Sequence, residues 1–311
     1  MQLDVAGLTH IGRRKERNED SFGIFGEGFP GLKLVKQGAL LVVADGLGGH
    51  TGGDIASKLA VSILRDLVKE EPPEPDSPNV DVVLDAANLG YLPQIRAAID
   101  RANASIHQTN CDLVQNGRPM GTTLLTILLE PRMAWVGNVG DSRAYHVRDG
   151  VVLSRTEDHS WVDEQVKAGL MTREEAENDR RKNLVTRSIG THPEMEVDTY
   201  RWPVSQGDVV LLCTDGLVNM VRDSEIAEVL GRPVTAKAMA ARLIELALAA
   251  GGKDNITVIV AVVDPNPWRL SWLRFQERMR ENNITVGRVV GWLFFGGLCF
   301  AAGLALMRVF D

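Results

Sequence analysis

Several acidic residues sit where apolar runs end. Asp45 closes the run in "LLVVADGLGG", Asp141 lies in "VGNVGDSR", Asp215 follows "VVLLCT", and Asp254 precedes "NITVIV". Glu19 and Asp20 add an adjacent pair in "RNEDSFG". A single aspartate at a strand end is explained by turn chemistry. The same design at Asp45-Gly46 and again at Asp215-Gly216 implies a shared site. Carboxylates gathered without cations raise one another's pKa values at a cost in stability. A donor set made of oxygens suits hard cations such as Mg2+ or Mn2+. The glycines let the backbone turn closely, and the Gly46 carbonyl is a further oxygen donor.

Other chemistries find no support. "GLGGHTGGD" lacks the Gly-Lys-Ser/Thr of a phosphate-binding P-loop, and its glycine spacing misses the dinucleotide fingerprint. No Gly-x-Ser-x-Gly elbow is present for a serine hydrolase. Cys111 reads as having no neighbouring histidine, and Cys213 falls inside a strand, so a cysteine nucleophile is disfavoured. The three cysteines show neither zinc spacing nor a disulfide set, which fits a reducing, intracellular compartment. The N-terminal stretch lacks the apolar core of a signal peptide.

The elements that must position these acids read as α+β. Strand-like runs lie at 39–44, 122–129, 134–139, 143–147, 208–213 and 256–263. Helical patterns lie at about 53–69, 92–108, 161–168, 224–230 and 235–249. The central strands follow one another through turns too short for parallel crossovers, which predicts antiparallel sheets with helices packed on them. The acidic, proline-rich residues 70–81 read as a surface loop, and the polar residues 158–190 as a surface excursion of the flap kind. A chain of 311 residues is long enough to bury a full core.

Charge and hydropathy change near the C-terminus. Residues 268–311 hold six arginines against three acids, leaving 28 basic and 38 acidic groups in 1–267. The acidic body argues against nucleic acid as a partner. Residues 289–307 form 19 positions without a charge, about 28 Å as a helix, close to the hydrocarbon thickness of a bilayer. The preceding residues 268–288 place Trp268, Trp272, Phe275 and Met279 on one helical face among arginines, as expected of a basic segment lying on membrane lipid. Of the charged residues, only Arg308 and Asp311 lie beyond the apolar run. The expectation is therefore three parts: a domain at 1–267, a juxtamembrane segment at 268–288 and a transmembrane helix at 289–307. The chain would be single-pass and tail-anchored in the cell (inner) membrane with its body in the cytoplasm. Gly297, Ala301 and Ala305 at four-residue spacing permit a dimer through the span.

Eight segments, in order, carry a resemblance. "GRRKERNEDSF", "VADGLGGHTGGDIAS", "GTTLLTILL", "NVGDSRAY", "TEDHSWVDEQVKAG", "VTRSIG", "LLCTDGL" and "GGKDNITVIV" resemble the metal-dependent type-2C serine/threonine protein phosphatases in their bacterial form, over about residues 8–263. The resemblance implies two packed antiparallel β-sheets flanked by helices, with a two-metal site at one edge. It implies that Asp45 bridges two Mn2+ or Mg2+ ions, that Gly46 lends its carbonyl, and that Asp215 and Asp254 hold the second ion. Glu19 and Asp20 would bind or orient waters, and Asp141 would serve a third, weaker position. The implied reaction is in-line attack by a metal-activated water on phosphoserine or phosphothreonine of cytoplasmic proteins. A serine/threonine kinase or its substrates would be partners.

The chain departs from the family's pattern at three places. Lys15 stands where an arginine usually grips phosphate, keeping the charge but losing the bidentate fork. Arg13, Arg14 and Arg17 lie close by in sequence. Asn219 stands where an aspartate often serves the third ion. Leu47 replaces the histidine that eukaryotic members carry after the Asp-Gly pair, leaving His50 as a weaker candidate acid. Two alternatives therefore stand beside the enzyme: a pseudophosphatase that binds phosphoproteins without turnover, and a hydrolase of small phosphorylated metabolites.

Overall fold

The computed structural model describes residues 2–26, 38–48, 52–67, 90–113 and 119–281. The chain divides into two units, Met1–Pro265 and Asn266–Asp311. The first unit begins with β1 (Leu3–His10), β2 (Ser21–Gly26), β3 (Ala39–Ala44), β4 (Gly46–Leu47), α1 (Gly52–Leu67) and α2 (Leu92–Leu113). There follow β5 (Gly121–Thr122), β6 (Leu124–Glu130), β7 (Met133–Val139), β8 (Arg143–Arg148) and β9 (Val151–Arg155). Then come α3 (Trp161–Lys167), α4 (Arg173–Asn178), β10 (Asp198–Pro203), β11 (Val209–Cys213), α5 (Asp215–Val218), α6 (Asp223–Leu230), α7 (Ala236–Ala249) and β12 (Ile256–Val263).

The strands make two five-stranded antiparallel sheets, ordered β1-β12-β11-β8-β9 and β10-β7-β6-β3-β2, with β4 and β5 pairing separately. Strand β3 shows why the layers form. Alternate side chains of a strand face opposite ways. Leu41 and Val43 join Val210, Leu212, Ile259 and Ala261 of the other sheet in the inner core. Leu40, Val42 and Ala44 turn outward onto Ala56, Ala60, Leu64, Ile99 and Ile106 of α1 and α2. Both faces of the strand are therefore buried, so its sequence is apolar without alternation. The other sheet repeats the scheme, with Leu211, Val258 and Val260 packed under Met239, Ala240 and Leu243 of α7. This is the expected sandwich, helices on two face-packed antiparallel sheets.

Within the two large sheets, the strands absent from the sequence reading are β1, β2, β9 and β10, the outer strands of each, and the two-residue β4 is absent from it as well. Their burial is mixed: β1 has one buried position in eight, and β9 has none in five. An edge strand lacks the unbroken apolar run that marks β3 or β12. The 158–190 excursion contains α3, capped by Ser160, and α4, opened by a Thr172/Glu175 capping box. The acidic loop at 70–81 lies outside the described residues.

In the second unit, α8 (Pro267–Glu281) forms over the predicted amphipathic segment, and Trp272 stacks on Phe275 with ring centroids 5.8 Å apart. Among the described residues, no helix is long and apolar enough to cross a membrane. The predicted span at 289–307, with Gly297, Ala301 and Ala305, lies outside them.

Leu41 is fully buried on the strand that ends in Asp45. Leu41→Ala is expected to lower unfolding stability by about 2–5 kcal/mol, read from urea denaturation. A loss below about 1 kcal/mol would contradict the double-layer packing described here.

Candidate active site

Each acid adjoins a strand end: Asp45, Asp141 and Asp215 follow β3, β7 and β11, whereas Asp20 and Asp254 precede β2 and β12. Asp45 leaves β3 with its N–H donated to Thr123 Oγ1 at 2.9 Å. Its carbonyl accepts the Thr123 N–H and the Thr122 hydroxyl, both at 2.8 Å. A Cβ on Gly46 would lie 2.3 Å from the Gly53 carbonyl oxygen and 2.8 Å from that of Glu19, so only glycine fits. Asp215 opens α5 directly after β11, and a Cβ on Gly216 would stand 1.9 Å from the Asn255 carbonyl oxygen. The glycines after Asp45 and Asp215 thus answer to close backbone approach.

Asn255, at the start of β12, ties down the segment that carries Lys15, Glu19 and Asp20. Its side-chain oxygen accepts the Glu19 N–H at 2.8 Å, and its amide donates to the carbonyls of Ile11 and Arg17, both at 2.9 Å. Asp20 is buried, and its Oδ2 accepts hydroxyl hydrogens from Thr214 at 2.9 Å and Thr257 at 2.7 Å. Asp20 Oδ1 and Glu19 Oε1 are buried without a hydrogen-bond partner. Lys15 Nζ lies 2.6 Å from Asp254 Oδ1. Asn219 donates its amide to Asp215 Oδ2 at 3.0 Å, so this position supplies a donor to the cluster in place of another charge.

The electrostatics show that the acids form one group. Desolvation is the largest cause of the raised carboxyl pKa values, and mutual repulsion adds to it. The Asp45 carboxyl is pushed well up by burial and by Asp20, Asp215, Asp141 and Asp254. Asp141 is pushed well up by burial, Asp215 and Asp158. Asp20 rises to about 7, through burial and the charges of Asp215 and Asp254, against the two threonine hydrogen bonds. Asp215 rises to about 6, through burial and Asp254. Lys15 is depressed by burial, but its contact with Asp254 and the charges of Asp45 and Glu19 outweigh that and hold it above the ordinary lysine value.

The sequence-selected residues Lys15, Glu19, Asp20, Asp45, Gly46, Asp141, Asp215 and Asp254 therefore fall in one place. Lys15 apart, their chemistry fits divalent cations: oxygen donors only, carboxyls that are mostly buried and repel one another, and two buried oxygens without partners. Among the described residues, no three His, Cys, Asp or Glu side chains stand close enough together to hold an ion as they are. Part of the reason is visible, since Asp254 is held by Lys15 and Asp215 by Asn219. His50 lies outside the described residues.

From Asp141 and Asp215 a cleft of about 760 Å³ runs between the α3–α4 excursion and the α5–α6 turn, past Arg155, Asp163, Arg173 and Lys182. Its floor is braced by Arg143, whose Nε and Nη2 hold the buried Asp158 carboxylate at 2.8 and 2.7 Å. His159 anchors the root of the excursion: its ring Nδ1 accepts the Gly140 N–H at 3.1 Å, and its backbone N–H donates to the Gly140 carbonyl at 2.9 Å, beside Asp141.

The sequence reading missed the residues that hold the acids: Thr123, Thr214, Asn255, Thr257 and the Arg143–Asp158 pair. For the threonines and Asn255 the signal was small polar residues set against or within apolar strands, in "TTLL", "CTDG" and "DNIT", whereas the Arg143–Asp158 pair carried no such signal. One statement is corrected. Cys111 does have a neighbouring histidine, His107 one helical turn earlier, with Nε2 3.8 Å from Sγ. The Cys213 thiol is fully buried, and burial pushes its pKa far up, as expected of an inert position.

A family model described as Protein phosphatase 2C matches residues 6–250. Serine/threonine phosphatase stp of Listeria monocytogenes serotype 4b (strain F2365) is 35% identical over 257 residues, covering 82% of this chain and 94% of that protein. The solved Streptococcus agalactiae serine/threonine phosphatase is 33% identical with a TM-score of 0.70, covering 84% of this chain and 100% of that one. The catalytic domain of serine/threonine protein phosphatase PstP, solved in complex with 2 manganese ions, is 34% identical with a TM-score of 0.67, covering 84% and 97%.

The raised acids set a pH dependence. A carboxyl whose folded pKa lies above its unfolded value keeps its proton longer when folded, so the folded state binds more protons between the two values. For Asp20 and Asp215 that window runs from near 3.8 to about 7 and about 6. Chelator-treated protein should therefore melt at lower temperature at about pH 8 than at about pH 5.5, and added Mn2+ should narrow the gap. Chelated protein that is more stable at about pH 8 would contradict the repulsion account.

Proposed function

The chain belongs to the protein phosphatase 2C family and is a serine/threonine protein phosphatase of that type, and from that premise we propose that it hydrolyses phosphoserine and phosphothreonine of cytoplasmic proteins at a membrane surface. The observation that carries the chemistry is the convergence of Asp20, Asp45, Asp141, Asp215 and Asp254 with two unpartnered carboxylate oxygens. In this reading Asp45, the Gly46 carbonyl, Asp215 and Asp254 hold two Mn2+ or Mg2+ ions, with Asp141 toward a third. Bound there, the ions supply positive charge against the phosphoryl oxygens and lower the pKa of water.

The chain's own groups do the rest. Asp20 is oriented by Thr214 and Thr257 through one oxygen, which leaves the other to take a water proton. Glu19 Oε1 is likewise buried without a hydrogen-bond partner. Lys15 brings a positive charge for the phosphate from a segment pinned by Asn255. The cleft beyond Asp141 and Asp215 has a volume that suits a small ligand as well as a few residues of polypeptide. The preference for a protein over a small metabolite is supported by the relatives, which are serine/threonine phosphatases. A kinase sharing those proteins is the natural counterpart. The binding-only reading draws on Lys15 and Asn219, both of which already occupy acids of the cluster.

The membrane location is supported by the uncharged run at 289–307 and by the exposed Trp268, Trp272 and Phe275 of α8. Pairing of two copies through Gly297, Ala301 and Ala305 belongs to the same proposal.

Two measurements test these statements. With Mn2+ present, the chain should release phosphate from phosphoserine and phosphothreonine peptides much faster than from sugar phosphates. Asp45→Asn should lower kcat by about 100-fold or more. Unchanged turnover in that variant would remove the metal account, and a preference for sugar phosphates would replace the substrate class. In cell fractionation the full chain should sediment with membranes and resist high salt, whereas residues 1–267 should stay in the supernatant. Full chain found in the supernatant would dispose of the anchor.

A further inference from the structure

Lys15 directly holds one of the acids. Its Nζ is 2.6 Å from Asp254 Oδ1, with the two side chains 41% and 40% exposed. The same Oδ1 also accepts the Asn255 backbone N–H at 2.8 Å. That carboxylate is one of those that would serve a divalent ion, so ammonium and metal compete for the same oxygens. The backbone around Lys15 has little freedom to settle the competition. Asn255 fastens it on both sides, at the Ile11 and Arg17 carbonyls and the Glu19 N–H. The side chain is free to settle it: a four-carbon stem ends in a compact charge that makes a single contact with Asp254, without the planar two-bond fork of an arginine. A half-exposed ion pair of this kind is weak and is exchanged readily for a dication.

We infer that Lys15 is a tethered counter-ion that holds Asp254 until a divalent cation takes that carboxylate, and that the released ammonium then turns to the phosphate. The inference rests on the reading of Asp254 as a metal ligand. It gives the lysine two anionic partners, Asp254 and the phosphate, met in turn from one backbone position. It also couples the two ligands: filling the Asp254 position frees a phosphate-binding charge, and by linkage phosphate holds the lysine away from Asp254 and favours the metal. The coupling belongs to lysine at this position, since an arginine fork shared between two anions loses the geometry that makes it strong.

Calorimetric titration of the full chain tests this without reference to turnover. Mn2+ would be titrated into wild type, Lys15→Met, Asp254→Asn and the double variant, and inorganic phosphate into each at saturating Mn2+. Lys15→Met keeps the apolar stem and removes the charge. It should bind Mn2+ about three- to tenfold tighter and phosphate about tenfold more weakly. The gain in Mn2+ affinity should disappear when Asp254 is already Asn, as a double-mutant cycle requires of a specific pair. Arg14→Gln, which removes a charge from the same segment, should shift Mn2+ affinity less than about twofold. Lys15→Met with unchanged or weaker Mn2+ affinity would overturn the inference, as would a gain that persists in the Asp254→Asn background or unchanged phosphate affinity. Wild type that binds no Mn2+ would bring down the metal reading itself, and so the two failures are told apart.

Discussion

Repulsion among carboxyls that the fold forces together is the constraint on which the rest depends. Asp45 ends β3, Asp215 follows β11, Asp141 follows β7 and Asp254 precedes β12, so strands from both sheets deliver charge to one edge. The sandwich can do this because its inner and outer faces are packed with aliphatic side chains, which fix the strand ends however unfavourable their charges are. The neighbours at that edge are spent on holding the acids in place. Thr123 grips the Asp45 backbone, Thr214 and Thr257 share one oxygen of Asp20, and Asn255 clamps the segment that brings Glu19. Such an arrangement costs stability unless cations enter it, and sites that accept this cost are commonly functional ones.

Legibility in the sequence followed burial. The central strands β3, β6, β11 and β12 were visible because both of their faces are covered, so each is an unbroken apolar run. The outer strands were not, because an edge strand such as β9, with no buried position, carries no such run. Much the same division holds for the site. The acids were legible as charges that break apolar runs. The hydroxyls and amides that orient them left a fainter mark, small polar residues beside apolar runs, and Thr214 and Asn255 acquire their meaning when β11 and β12 lie side by side.

Two of the chain's departures from the family's pattern have physical content at the site. Asn219 turns its amide to Asp215 and so steadies a carboxylate where an aspartate would add to the repulsion. Lys15 neutralises Asp254 by direct contact. Both lower the charge load of the cluster, and both put a positive or donor group on an acid that a cation would otherwise take. The third, Leu47, sits in the short β4 strand beside Gly46, and nothing in the structure gives it a chemical task.

The account's central claim is that these acids become a catalytic centre when divalent cations bind among them. The most direct test is a Mn2+ titration of phosphopeptide hydrolysis by the full chain, from metal-free protein upward, with chelator added back at the end. The account predicts no phosphate release without metal, a saturable rise with Mn2+, and loss of activity on chelation. Release that is indifferent to metal and chelator, or no release at any metal concentration, would contradict it.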